Sequence, residues 1–360
     1  MEGLGKGNTM THVHADRRPD RFAIVIALLG AALAAAGCSR QGPLQVSYLG
    51  PTIEGVRQIH LINPDAAEGR QLFVGERGLG GGLVWAPDGE HALVFAGEEL
   101  QAFLSDIETG TLGRCVTCGI PDAGDVAFSP DGSQLAVGSS DGIYVVELSG
   151  TQSELVSDIS RPGWIQWSPD GDRIGFFAFG DRPRLYQVDL SSGETLELTA
   201  AHEGSGLTFF APQWSPDWDW VAMRTSSKEE LAIQIMRADG SGLAKIADWE
   251  FRGEAMDPGL FPAPQWSPDG QRILFTSYSP AGDSDILVVK RDGSGLANLT
   301  NSSGGDTDPA WSPDGRHIAF VSSRDGNPEI YVMNADGSEP LNLSNSPQAD
   351  EFSPAWRPRR

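Results

Sequence analysis

Gly138-Ser139-Ser140-Asp141-Gly142 has the Gly-x-Ser-x-Gly form, and Cys115 and Cys118 make a Cys-x-x-Cys pair. The first pattern serves acyl transfer when a strand leads into the serine, a helix leaves it, and a histidine and an acid stand by. Here β-rich sequence lies on both sides, so the segment reads as a turn and no catalytic residue is assigned. The cysteine pair leaves three uses open: a disulfide, two free thiols, or redox or metal chemistry. Zinc requires two further ligands, and thioredoxin-like exchange expects a helix after the motif. Residues three apart on a strand point to opposite faces, so a disulfide requires a bend there. The histidines (His12, His14, His60, His91, His202 and His317) fall singly, and no metal site or cofactor is assigned.

A net charge of −23 repels a nucleic-acid backbone, which leaves cations, basic peptides and neutral ligands as partners. The chain is rich in turn formers, with 44 Gly and 24 Pro, and its hydrophobic content of 39% suffices for a core.

Arg17, Arg18 and Arg21 precede an uncharged run from Phe22 to Gly37, and Cys38 follows. The run has 16 residues, shorter than the roughly 20 a membrane-spanning helix needs. A basic segment, an apolar run and a small-residue exit form an export signal. The ending Ala35-Ala36-Gly37-Cys38 resembles a bacterial lipobox, with Ala35 where leucine is usual. The resemblance implies a signal peptide over 1–37, cleavage before Cys38 and acylation of that cysteine. Residues 38–43 would then be a short tether and 44–360 a single domain. Export to the cell envelope is the expectation, at the outer membrane if the cell has two membranes, since Ser39 follows the cysteine.

What must position any site is a repeat. Trp85-Ala-Pro-Asp-Gly89 returns as Phe128-Ser-Pro-Asp-Gly132, Trp167-Ser-Pro-Asp-Gly171, Trp214-Ser-Pro-Asp-Trp218, Trp266-Ser-Pro-Asp-Gly270 and Trp311-Ser-Pro-Asp-Gly315, and Trp356-Arg-Pro358 is a truncated copy. The anchors lie 43, 39, 47, 52, 45 and 45 residues apart. That is the length of a four-stranded propeller blade. Ser-Pro-Asp-Gly suits a type I turn, which tolerates a non-glycine such as Trp218 at its last position. Each aromatic can fill the wedge between neighbouring sheets. The segment before Trp85 supplies three strands (Val46–Leu49, Ile59–Ile62 and Leu72–Val74) but no innermost one. Ser353–Trp356 is an innermost strand without its three followers. The two ends therefore complete one blade and close the ring. The fold is an all-β propeller of seven blades, with six or eight as alternatives if an end does not pair.

These Trp-Ser-Pro-Asp-Gly units resemble the WD-like repeats of the TolB-type propeller family over nearly all of residues 44–358. The resemblance implies the fold, whereas function varies among propellers. TolB carries an α/β domain before its propeller, and peptidases with such propellers carry a separate hydrolase segment. Neither is visible in this sequence.

Two sets of residues gain meaning from the ring. Asp125, Asp257, Asp306, Asp308, Asp350 and Glu351 precede innermost strands and would border the central channel. They form either a negative mouth for a weakly bound cation or basic peptide, or a solvated acidic rim. The wide intervals place extra residues, 202–210 and 249–261, between an outermost strand and the next innermost one. Phe209, Phe210, Trp249, Glu250, Phe251, Arg252 and Phe261 would then mark a partner-binding face, or else cap the blades they leave. The features together point to a non-enzymatic, lipid-anchored module that binds an envelope protein, peptide or small ligand. The alternative is a propeller lyase or hydrolase with Asp306 and Asp308 at the channel mouth.

Overall fold

The computed structural model describes residues 44–359 apart from 54–55, 65–67, 75–78, 98–99, 151, 181, 229, 251–261 and 279–282. Cys38 and its tether, Phe251, Arg252, Asp257 and Phe261 lie outside the described residues. Seven four-stranded antiparallel sheets form the blades of one ring. Each blade runs from an innermost strand A to an outermost strand D. Blade 1 comprises Leu79–Trp85, His91–Ala96, Gln101–Asp106 and Thr111–Cys115. Blades 2 to 6 begin with strands A at Val126–Phe128, Pro162–Trp167, Thr208–Trp214, Gln265–Trp266 and Asp306–Trp311. The seventh blade is composite, with Phe352–Trp356 as strand A and Val46–Ile53, Val56–Asn63 and Glu68–Val74 as strands B to D.

In the continuous blades the outermost strand is the least buried. In blade 3, strand B (Arg173–Ala178) buries Ile174, Phe176 and Phe177 completely, because neighbouring sheets cover both its faces. Strand D exposes most of its side chains, and leucines such as Leu112 and Leu196 stand about half in water. Each Phe held between two sheets contributes about 2–3 kcal/mol of hydrophobic stabilisation.

The repeated phrase builds one turn many times over. In blade 2 Gly132 N–H donates to Ser129 O at 2.9 Å, and Ser129 Oγ donates to Asp131 at 2.7 Å. The same Ser129 Oγ accepts from Gln134 N–H at 2.9 Å, while Asp131 accepts from Ser133 N–H at 3.0 Å. Blades 3 to 6 repeat this set of bonds. The final glycine takes a left-handed conformation, with φ of 73° at Gly132 and 78° at Gly171. Trp218 adopts the same conformation at 61° without glycine's freedom. Its turn survives, held by Trp218 N–H to Ser215 O at 2.9 Å. Its ring is buried, stacks on Trp214 at 5.1 Å, and donates from Nε1 to Gln187 Oε1 at 3.0 Å.

The anchor tryptophans also join the blades. Trp167 Nε1 donates to Ala127 O, Trp266 Nε1 to Gln213 O and Trp311 Nε1 to Gln265 O, at 2.9–3.3 Å. In each case the acceptor is the residue just before the aromatic anchor of the preceding blade. Trp356 Nε1 continues the series to Ala310 O at 2.9 Å. Trp85 Nε1 then reaches Ser47 Oγ at 3.0 Å, and Ser47 Oγ donates to Ala355 O at 3.1 Å. These last links close the ring, together with the pairing of Val46 with Trp356.

Strand A carries a bulge in several blades, marked by left-handed Trp164, Ala211, Asp308 and Ser353. Each lies three residues before its anchor. The next residue is proline in three of these strands (Pro212, Pro309 and Pro354), tolerated because the innermost strand is a sheet edge.

Candidate functional site

Of the described acids before strand A, only Asp350 is well exposed. Asp125 Oδ1 accepts from Val126 N–H at 3.0 Å, and its Oδ2 accepts from Ile165 N–H of the next blade at 2.9 Å. Burial raises its pKa to about 6, against the downward pull of those backbone N–H groups. Asp306 is fully buried, accepting from Ser302 Oγ at 2.8 Å and pairing with Arg324 at 3.1 Å. Asp308 sits on the strand A bulge, where burial raises its pKa.

Glu351 is 2% exposed, and burial lifts its pKa to about 7, with the charge of buried Glu329 adding to the rise. It lies where blade 6 meets the composite blade. There Tyr48 stacks on His60 at 5.2 Å, and burial together with the charge of Glu351 raises the Tyr48 hydroxyl pKa. The structure therefore differs from an open acidic mouth. Asp125 and Asp306 are built into blade junctions and loop anchors, because the short strand A starts leave backbone and guanidinium N–H groups to satisfy.

The aromatic set also differs from expectation. Phe209 and Phe210 lie within strand A of blade 4, since the bulge at Ala211 extends the strand back to Thr208. Both are buried, and so is Trp249. Phe210 meets Trp249 edge-on at 6.0 Å. These three pack within their blades, which is the capping alternative of the two the sequence offered. Glu250, by contrast, is exposed, while its backbone is fixed by Glu250 N–H to Ser277 Oγ at 2.8 Å and Tyr278 N–H to Glu250 O at 3.1 Å.

Arg224 was not singled out from the sequence, although its place in the apolar run Val221-Ala-Met-Arg-Thr225 signals burial. Its guanidinium lies 4.5 Å over the Trp249 ring and donates to Pro262 O at 3.1 Å and Thr276 O at 2.9 Å. Burial lowers its pKa to about 9. A buried arginine thus holds the roots of the loop on this side of blades 4 and 5.

Cys115 and Cys118 are joined by a disulfide. Strand D ends at Cys115, and the chain bends over Val116–Gly119, which brings the two sulfurs together. Ser139 ends strand B of blade 2. Its buried hydroxyl lies 2.5 Å from Pro121 O and 2.7 Å from Asp141, so the Gly-x-Ser-x-Gly segment is the strand B–C turn. Among the described residues no three of His, Cys, Asp and Glu gather as a metal site. No described helix is long and apolar enough to cross a membrane.

Comparison with known proteins adds to this geometry. The TolB beta propeller domain matches residues 82–258 and again 252–360. An uncharacterized protein of Agrobacterium fabrum is 29% identical over 238 residues, covering 62% of this chain and 73% of that protein. A TolB homolog of Chlorobium luteolum is 27% identical over 149 residues, which are 41% of this chain and 31% of the homolog's length. Among solved structures, a putative TolB from Agrobacterium tumefaciens superposes with a TM-score of 0.55 at 23% identity, over 81% of this chain and 99% of that one. An oligogalacturonate lyase from Vibrio parahaemolyticus gives 0.63 at 15% identity, over 80% and 86%. At such identities both superpositions speak for the fold alone. Since the domain match reaches from residue 82 to 360, the chain belongs to the TolB beta propeller domain family.

Proposed function

We propose that this propeller is a non-enzymatic binding or scaffolding module of the cell envelope, held to a membrane by acylated Cys38. Its partner would be an envelope protein, peptide or small ligand engaging the side where strand D runs into the next strand A. One observation carries the reading: acids available for chemistry at the channel are already spent on architecture. Asp125 bridges two blades, and Asp306 holds Arg324 and Ser302. The relatives named TolB, one of them described as a Tol-Pal system protein, support an envelope assembly role.

The test is photo-crosslinking in intact cells from Glu250 or Glu203 on the loop side, with Gln271 on the opposite side as control. A stoichiometric adduct from the loop positions alone is the expected result. Asp308, at an inner-strand bulge where burial raises its pKa, is the observation that favours the rival lyase or hydrolase. Turnover of an oligosaccharide or peptide library that is lost in Asp308→Asn, with no adduct, would establish that reading instead.

A further inference from the structure

We infer that the ring is held with its Ser-Pro-Asp-Gly turns toward the lipid surface and its D-to-A loops away from it. The inference rests on the proposed acylation of Cys38 and adds to it an orientation.

The described chain begins on one definite side. Arg357 N–H donates to Gln45 O at 2.8 Å, and its guanidinium donates to Gln45 Oε1 at 2.7 Å and to Gly89 O at 2.6 Å. Gly89 belongs to the strand A–B turn of blade 1. Arg359 reaches Asp314, in the corresponding turn of blade 6, at 3.4 Å. The first described residues thus emerge between two of these turns. From Cys38 to Leu44 there are six steps of chain, which span at most about 20 Å when fully extended. A lipid on Cys38 therefore keeps this side near the headgroups. The loop side, a full strand length farther off, faces outward.

Charge decides how this side meets the lipid. The turn of every continuous blade carries an aspartate, from Asp88 to Asp314; Asp170, Asp217 and Asp314 pair with Arg173, Arg291 and Arg359, and Asp88, Asp131 and Asp269 are exposed. In several, serine hydroxyls and then backbone N–H groups hold the carboxyl below its ordinary pKa, as at Asp131 and, in C–D turns on the same side, Asp239 and Asp336. These groups stay ionised at neutral pH. An anionic leaflet would repel them at short range, within a Debye length of about 10 Å at 0.1 M salt. The turns would then hover on the tether and not seat in the interface. Large partners are excluded from the narrow gap, which leaves the loop side for them.

Fluorophores on Asp172→Cys and Gln271→Cys (turn side) and on Ser140→Cys and Glu203→Cys (loop side) test this in the mature, detergent-purified protein. It is reconstituted in phosphatidylcholine vesicles carrying nitroxide headgroups, and mass spectrometry reports the state of residue 38. Severalfold stronger quenching at the turn-side positions is expected, weakened by added phosphatidylglycerol and restored by salt. Equal quenching, or stronger quenching on the loop side, in acylated protein overturns the orientation alone. A mature chain without acyl groups at Cys38 overturns the anchoring, and the orientation falls with it.

Discussion

Trp356 donates its indole N–H to the carbonyl oxygen of Ala310 at 2.9 Å, across the junction where the last strand meets blade 6. The tryptophan is wholly buried. Trp356→Phe keeps most of the apolar contact but leaves a buried carbonyl without its donor. The expected loss is about 1–2 kcal/mol, read as a lower midpoint in urea with unchanged slope. An unshifted midpoint would mean that the indole link adds nothing to closure.

Removing residues 351–360 deletes strand A of the composite blade and exposes one edge of Val46–Ile53. The ring then opens at one junction while the other blades keep their own sheets. The prediction is a cooperative drop in thermal stability of the whole body, followed by circular dichroism. A truncated protein that melts like the intact one would contradict the closure.

Buried Glu351 and half-buried Asp125 make stability fall as pH rises. Glu351 and Asp125 hold their protons to about pH 7 and about pH 6, whereas in the unfolded chain they release them near their ordinary values. Between those limits the native state binds more protons than the unfolded one, so stability is lost as pH climbs through the folded values. For Glu351 the effect is on the order of 3 kcal/mol. Turn aspartates such as Asp131 have lowered pKa values and act oppositely, losing their contribution as pH falls below about 4. Denaturation should therefore show greatest stability near pH 5. Glu351→Gln should shrink the difference between pH 5 and pH 8 and leave the acid limb unchanged.

Trp218→Gly sets two effects against each other. Glycine relieves the left-handed backbone, worth about 1 kcal/mol. The loss of a buried indole that stacks on Trp214 and bonds Gln187 costs about 3–5 kcal/mol. The variant should fold with a net destabilisation of about 2–4 kcal/mol, measured by urea titration. A gain in stability would show that the strained turn dominates.

Reducing the Cys115–Cys118 disulfide should cost little. The loop it closes is very short, so its entropic contribution is at most about 2 kcal/mol. Val116 N–H to Ala102 O at 2.8 Å and Ala102 N–H to Thr117 Oγ1 at 2.9 Å hold the flanking backbone in any case. A double serine variant that fails to fold would contradict this.

The ring and its shared blade were legible because the turn phrase is local: six adjacent residues, Ser129 to Gln134 in blade 2, contain its whole hydrogen-bond scheme. The side-chain placements were not legible, because they depend on partners about 40 residues away. Asp125 looks like a channel acid until Ile165 of the next blade appears beside it. Phe209 and Phe210 looked like loop residues because they fall in the wide interval, 202–210, before the anchor Trp214. A left-handed Ala211 lets the strand bend past Pro212 and pulls both rings into the core. The indole-to-carbonyl links could have been anticipated from the tryptophan spacing, but only once the distance between sheets was known.

Gln45 and Arg357 lie in hydrogen-bond contact, so the ring has no privileged starting point. A short peptide joining them, with a new opening cut in an exposed turn such as 191–193, should give a circular permutant of the same architecture. Any of the seven sheets could then be the one assembled last, and the order in which a ribosome delivers the blades becomes a free variable.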